Sequence, residues 1–200
     1  MAAAVSPTRH AWVGLAALLG ALALLAWPVE RHSVDWQPAL VLTQPWRAWT
    51  AVAVHYSALH LGANLLGTLL VGALGAVARL PVRMVWAWLA AWPMTQWGLL
   101  LKPQLLHYGG LSGVLHAGVA VTALHLVLCG ARPQRWIGAA ILAGLIVKVV
   151  GETPWGEPLR HSPGWDIAVA PIAHATGLLA GLLCAAAAHA LAQHRRRAPD

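Results

Sequence analysis

Six long apolar stretches constrain the fold of this chain more than any other feature. They cover residues 11–28, 53–78, 85–101, 113–129, 136–150 and 171–192, between charged residues and Pro/Gly breaks. A bilayer-spanning helix needs about 20 apolar residues, so six would take up ~120 positions, in keeping with a hydrophobic content of 59%. The pattern predicts an all-α polytopic membrane protein, a six-transmembrane-helix bundle in a single domain over residues 1–200, and it excludes a soluble enzyme.

The first stretch resembles a signal peptide because a basic residue, Arg9, precedes its apolar core. Its apolar run is about as long as a membrane span, and it ends at Trp27-Pro28 without a convincing cleavage site. We therefore expect an uncleaved membrane helix.

The distribution of basic residues predicts the orientation in the membrane. With the amino terminus inside, the cytoplasmic segments hold Arg9, Arg79, Arg83, Arg132, Arg135 and Arg195–Arg197. The outer segments and their margins hold Arg31, Arg47, Lys102, Lys148 and Arg160. The excess of basic residues in the first set places both termini in the cytoplasm. The net charge of +7 is scattered in short clusters, so we do not expect nucleic-acid binding.

Polar side chains inside membrane spans are costly and mark function by default. The informative ones are His55, His60, Asn64, Ser112, His116, His125 and His174. His60 and Asn64 are four residues apart near the outer end of span two, so they share one helical face. Ser112 begins span four and His174 lies near the start of span six, both also at the outer end. Three spans therefore place polar groups at one depth.

A serine and a histidine at the same depth suggest a nucleophile, Ser112, and its general base, His174. Glycines around the serine would permit a sharp turn with free amide groups, which His60 and Asn64 would supplement in stabilising an oxyanion. Because the inferred spans contain no Asp or Glu near His174, we expect a catalytic dyad without a third, acidic member.

Packing and metal binding are the alternatives to catalysis. Ser and Gly often pack membrane helices, and His125, deep in span four, is expected to be structural. Eleven His residues also suggest a metal or haem protein. However, the chain lacks an HExxH pair, and its membrane histidines are not matched by carboxylates. We therefore predict no metal and no cofactor.

Three motifs, in this order, resemble those of the rhomboid family of intramembrane serine proteases. They are His55-Tyr56-Ser57-Ala58-Leu59-His60-Leu61-Gly62-Ala63-Asn64, Gly110-Leu111-Ser112-Gly113 and Ala173-His174-Ala175-Thr176-Gly177-Leu178-Leu179-Ala180-Gly181. The resemblance implies a six-helix bundle with a water-filled cavity open to the outer side. It also implies that Ser112 is the nucleophile and His174 the base, that His60 and Asn64 bind the oxyanion, and that Gly110, Gly113, Gly177 and Gly181 have supporting roles.

Further features are similar to the rhombosortase branch of that family. His116 stands where many rhomboids have Tyr, and a Lys148…Glu152 pair ends span five, although Ala117 replaces a glycine expected in that branch. We expect His116 to pack near His174 in a role that supports the dyad, with direct participation as the alternative. The spacing of Lys148 and Glu152 is equally consistent with an ion pair that anchors the helix end. The resemblance implies a protease of the bacterial inner membrane that cleaves transmembrane proteins bearing a carboxy-terminal Gly-Gly sorting signal. A general rhomboid protease and an inactive, helix-binding rhomboid-like protein remain the alternatives.

Overall fold

The computed structural model describes residues 7–197; residues 1–6 and 198–200 of the predicted domain lie outside this range. Within it the chain is helical, without strands. The helices are α1 (Pro7–Leu25), α2 (Arg31–Val34), α3 (Arg47–Thr50), α4 (Ala58–Val77), α5 (Val82–Trp97), α6 (Ser112–Cys129), α7 (Arg132–Gly151) and α8 (Pro171–Arg197). Short 3₁₀ turns cover Pro38–Leu40, Ala51–Ala53 and Gly98–Leu101. Each of the six predicted spans therefore corresponds to one long helix.

Four helices within the described range are long and apolar enough to cross a membrane, namely α4, α6, α7 and α8. The apolar part of α1, His10–Leu25, is shorter, and α5 has only 16 residues, including Arg83 and a buried Gln96. The all-helical membrane architecture is thus confirmed, while the count of six spans stays a prediction. Among the four, α7 is the least enclosed by the rest of the bundle.

Two fully buried tryptophans join helices in the core. The indole rings of Trp12 in α1 and Trp88 in α5 lie 4.4 Å apart. Trp12 Nε1 donates to the carbonyl of Val71 at 3.0 Å, and Trp88 Nε1 donates to that of Val114 at 2.8 Å. Such a partner offsets the cost of burying the polar indole N–H. Trp12 therefore holds α1 against α4, and Trp88 holds α5 against α6.

Helix α6 lies at the centre of the bundle, where it packs against α4, α5, α7 and α8. Its contact with α8 is close because small residues face each other. A Cβ on Gly177 would overlap the carbonyl oxygen of Gly113, and one on Gly181 would lie 2.5 Å from the carbonyl oxygen of Ala117. The small residues at positions 177 and 181 therefore set the distance between α6 and α8.

We expect Gly177→Ala to lower the stability of the bundle by about 1–3 kcal/mol, because the added methyl group forces α8 away from α6. Thermal unfolding of the detergent-solubilised protein measures this loss. Gly144→Ala in α7 is the matched control, since no atom lies within 4 Å of its added Cβ. Equal midpoints for the two variants would contradict the close packing described here.

Candidate active site

A cavity of about 470 Å³ lies between α4, α6, α7 and α8. Its polar lining consists of His60, Asn64, Ser112, His116, Lys148, Glu152, Ser162 and His174. All four residues predicted from the sequence as nucleophile, base and oxyanion partners therefore line one cavity. They come from the amino-terminal halves of three helices, which begin at the same end of the bundle.

Ser112 and His174 lie within hydrogen-bonding distance across the α6–α8 contact. Ser112 is the first residue of α6, and His174 lies in the first turn of α8. The Ser112 Oγ is 3.0 Å from His174 Nε2, and the histidine is buried. A hydroxyl that donates to an imidazole nitrogen is the arrangement in which the imidazole accepts the proton as the oxygen attacks.

A strained turn presents Ser112 to the cavity. Gly110 has a φ of 137°, a conformation that favours glycine, and a Cβ there would lie 2.8 Å from His60 Nε2. The turn is held by its neighbours: the Gly110 amide donates to the Ala51 carbonyl at 2.9 Å, and the Tyr108 hydroxyl donates to the Gly110 carbonyl at 3.4 Å. Burial raises the pKa of Tyr108 to about 12, so this hydroxyl stays protonated.

The expectation that no acid lies near His174 is wrong, because a carboxylate contacts its imidazole. Glu152 Oε2 lies 2.6 Å from His174 Nδ1. Glu152 follows the last residue of α7, so it lies outside the predicted span, whereas the expectation considered only acids within spans. The carboxyl end of α7 and the amino end of α8 lie at the same end of the bundle, so the Glu152 carboxylate reaches the His174 imidazole.

Lys148 and Glu152 form an ion pair, one of the two interpretations of their spacing, with Nζ and Oε1 2.6 Å apart. Burial raises the pKa of Glu152, but hydrogen bonds and charge from His174 and Lys148 outweigh it and lower the pKa to about 2. The carboxylate is therefore ionised at neutral pH. Its stabilising effect is fully present above the ordinary pKa of 4.5 and is lost as the pH falls through about 2.

Two side chains opposite Ser112 present N–H groups to the cavity. The backbone N–H of Tyr56 donates to His60 Nδ1 at 3.5 Å, which leaves the proton of the neutral ring on Nε2, the atom facing the Gly110 turn. Asn64 Nδ2 is buried and has no hydrogen-bond partner among residues 7–197. Both His60 and Asn64 line the cavity that contains Ser112, so the unpaired Asn64 amide is available to an acceptor bound there. The backbone amides at the start of α6 add further free donors.

His116 packs on His174 as expected, with ring centroids 4.2 Å apart and planes within 11° of parallel. Its Nδ1 donates to the Ser112 carbonyl at 2.6 Å. His116 thus lies behind the imidazole that faces Ser112 and restricts its rotation.

The other histidines singled out in the sequence lie apart from Ser112. His55 precedes α4 and lies 4.8 Å from the His60 ring, and His125 lies at the opposite end of α6, 3.3 Å from His189.

The segment between α7 and α8 covers the cavity and was not predicted to take part. Trp165, Ser162 and Val169 line the cavity, and Asp166 accepts a 2.7 Å hydrogen bond from Ser57 at the start of α4. No motif marked these residues. Glu152 did carry a signal, because its i,i+4 spacing from Lys148 places both at the end of α7, at the depth of His174.

Comparison with known protein families agrees with this architecture. The family model described as Rhomboid domain matches residues 42–191, which include the whole cavity lining. No curated protein sequence matches the chain. Because the family model covers most of the chain, the protein belongs to the rhomboid family of intramembrane serine proteases.

Proposed function

We propose that the protein is an intramembrane endopeptidase in which Ser112 is the nucleophile, His174 the general base and Glu152 the carboxylate that orients the base. The observation that carries this proposal is an unbroken line of hydrogen bonds. It runs from Ser112 Oγ to His174 Nε2 at 3.0 Å and from His174 Nδ1 to Glu152 Oε2 at 2.6 Å. In serine-protease triads an acid likewise orients the histidine that takes the proton from the serine.

In the proposed reaction the Ser112 oxygen attacks the scissile carbonyl while His174 Nε2 takes its proton. The charge that develops on the carbonyl oxygen is stabilised by His60 Nε2–H, Asn64 Nδ2–H and the amides at the start of α6. His174 then gives the proton to the leaving amine, and an acyl-enzyme forms on Ser112. Water or another amine attacks this ester and releases the serine.

We propose that the cavity opens to the outer face of a bacterial inner membrane, with both termini in the cytoplasm. The nucleophile, the base and the oxyanion donors all lie at one end of the bundle. The arginines that the orientation depends on lie toward the other end, at Arg79, Arg83, Arg132, Arg135 and Arg195. The side chains of Arg9, Arg196 and Arg197 are outside the described part of the chain.

We further propose that the substrates carry a Gly-Gly sorting signal before a transmembrane stretch and a basic tail. Beside Ser112 lies a second cavity of only about 30 Å³, between Tyr108, Gly109 and the 167–170 segment. We assign this narrow space to a substrate residue without a side chain next to the scissile bond. The stacked His116, the feature that resembles the rhombosortase branch, supports the same assignment.

Paired reporters test this specificity in membranes. One carries Gly-Gly before its transmembrane stretch and basic tail, and the other carries Val-Val at the same two positions. We expect release of the Gly-Gly reporter and at least a ~10²-fold lower rate for the Val-Val reporter, because the branched side chains cannot enter the small cavity. Equal rates would favour a general rhomboid protease, and release of neither would contradict a sorting-signal peptidase.

A further inference from the structure

Away from the catalytic cavity, three metal-ligating side chains converge on one point. His32 in α2, Asp35 just after it and His107 before Tyr108 place one atom each in a triangle. His32 Nδ1 and His107 Nδ1 lie 3.1 Å and 2.8 Å from Asp35 Oδ2, and the two nitrogens are 3.1 Å apart. The three residues come from two segments separated by about seventy positions along the chain.

The triangle has nearly the size that a zinc ion requires. Zinc bonds of about 2.0–2.1 Å in a tetrahedron place neighbouring ligand atoms roughly 3.3–3.4 Å apart. The three separations would therefore have to widen by about 0.2–0.6 Å to admit the ion. The His32 and His107 rings lie 65° from parallel, with their centroids 4.4 Å apart.

The carboxylate of Asp35 is fixed from behind, as that of a metal ligand usually is. Its side chain is 0% exposed. The other carboxylate oxygen, Oδ1, accepts from Gln37 Nε2 at 2.8 Å and from Arg47 Nη1 at 3.3 Å. The Tyr56 hydroxyl is 3.3 Å from Oδ2. Gln37 and Arg47 therefore bind the far oxygen, while Oδ2 faces the two imidazoles and accepts from the Tyr56 hydroxyl.

We propose that His32, Asp35 and His107 form a zinc-binding site with an open fourth position filled by water. Two histidines and one carboxylate are a ligand set that zinc accepts together with a water molecule. The His32 and His107 side chains are 60% and 45% exposed, so the ion and its water can enter from solvent.

The ion would tie the segment before α3 to the turn that carries Ser112. Trp36 and Tyr108 already exchange backbone hydrogen bonds, at 2.8 Å and 3.0 Å. His107 directly precedes Tyr108, and Ser112 follows five residues after His107. Zinc at this site therefore reinforces the anchoring of the serine turn without touching the catalytic groups.

A second group, His125, Cys129 and His189, has suitable ligand types but poorer convergence. His189 faces the other two with different ring atoms: Nε2 lies 3.3 Å from His125 Nδ1, and Nδ1 lies 3.7 Å from Cys129 Sγ. One imidazole cannot direct both nitrogens at a single ion. This group therefore serves as the internal comparison.

Zinc content of the full-length Ser112→Ala protein tests the proposal independently of proteolysis. The protein is purified without a histidine tag, stripped with chelator, equilibrated with zinc and analysed by mass spectrometry of the metal. We expect His32→Gln/His107→Gln to bind one zinc fewer per chain than the Ser112→Ala parent. His161→Gln, an exposed loop histidine, and Cys129→Ser are expected to match the parent. Equal zinc content in the double variant and the parent would overturn the site.

X-ray absorption at the zinc edge of the parent protein, loaded with one equivalent, gives a second measurement that needs no ligand substitution. Scattering from nitrogen and oxygen with two imidazoles is the expected result. Zinc–sulfur scattering would overturn the proposal, because it would place the ion at Cys129.

Discussion

Ser112→Ala and His174→Ala are each expected to reduce kcat on the Gly-Gly reporter by on the order of 10⁶-fold. In the proposed mechanism the serine oxygen forms the bond to the substrate and the imidazole removes its proton, so neither step proceeds without the other. The double variant is expected to be no slower than either single variant. Residues that act as one unit show this non-additivity.

Labelling by a fluorophosphonate probe separates catalysis from binding in the same variants. The wild-type protein is expected to form a covalent adduct at Ser112, and both single variants are expected to lose it. Ser162→Ala is the matched control, since Ser162 lines the same cavity and is expected to leave labelling intact. If the wild-type protein binds the reporter but neither cleaves it nor reacts with the probe, it is a helix-binding protein and the proposed mechanism is wrong.

Glu152→Gln is expected to lower kcat by about 10²–10⁴-fold with little change in KM. Glutamine keeps the size of the side chain but removes the charge that stabilises the imidazolium, and its amide can hold the ring in the wrong tautomer. The upper part of the range applies to buried acids, whereas the Glu152 side chain is 31% exposed. Water can replace part of its effect.

Glu157→Gln provides the control, because this exposed acid belongs to the same segment but has no contact with His174 in the described structure. Glu152→Asp is expected to recover part of the lost rate, since it restores the charge at a greater distance. A role limited to anchoring α7 would instead give equal losses in Glu152→Gln and Lys148→Met, because both break the Lys148–Glu152 ion pair. Equal losses of rate, together with lowered thermal stability in both variants, would contradict an orienting role.

The parts predictable from the sequence were those that repeat with a regular spacing or form a compact motif. Hydropathy located all six long helices, although their ends differ by several residues. Span two, for example, begins at Ala58 rather than at residue 53, because Ser57 caps the helix by accepting from the His60 amide at 3.1 Å. Ser112, His174, His60 and Asn64 followed from motifs and helical phase, and the structure brings them to one cavity.

The parts that could not be predicted depend on contacts between distant segments. Glu152 is two residues beyond a predicted span, and only the relative position of α7 and α8 brings it to His174. His107 has no regular spacing from His32 or Asp35, so their convergence depends on the backbone pairing of Trp36 with Tyr108. The roles of Trp12 and Trp88 likewise depend on carbonyl partners on other helices.

The contact between Glu152 and His174 depends on the position of α7 relative to α8, because Glu152 directly follows α7. Of the four long apolar helices, α7 has the smallest buried share, so the rest of the bundle holds it least. A small sideways shift of α7 would withdraw the carboxylate from Nδ1, while the Ser112–His174 contact, set by α6 and α8, would persist. In the proposed mechanism, the packing of α7 therefore governs the orientation of the base, and the packing of α6 against α8 governs its reach to the serine.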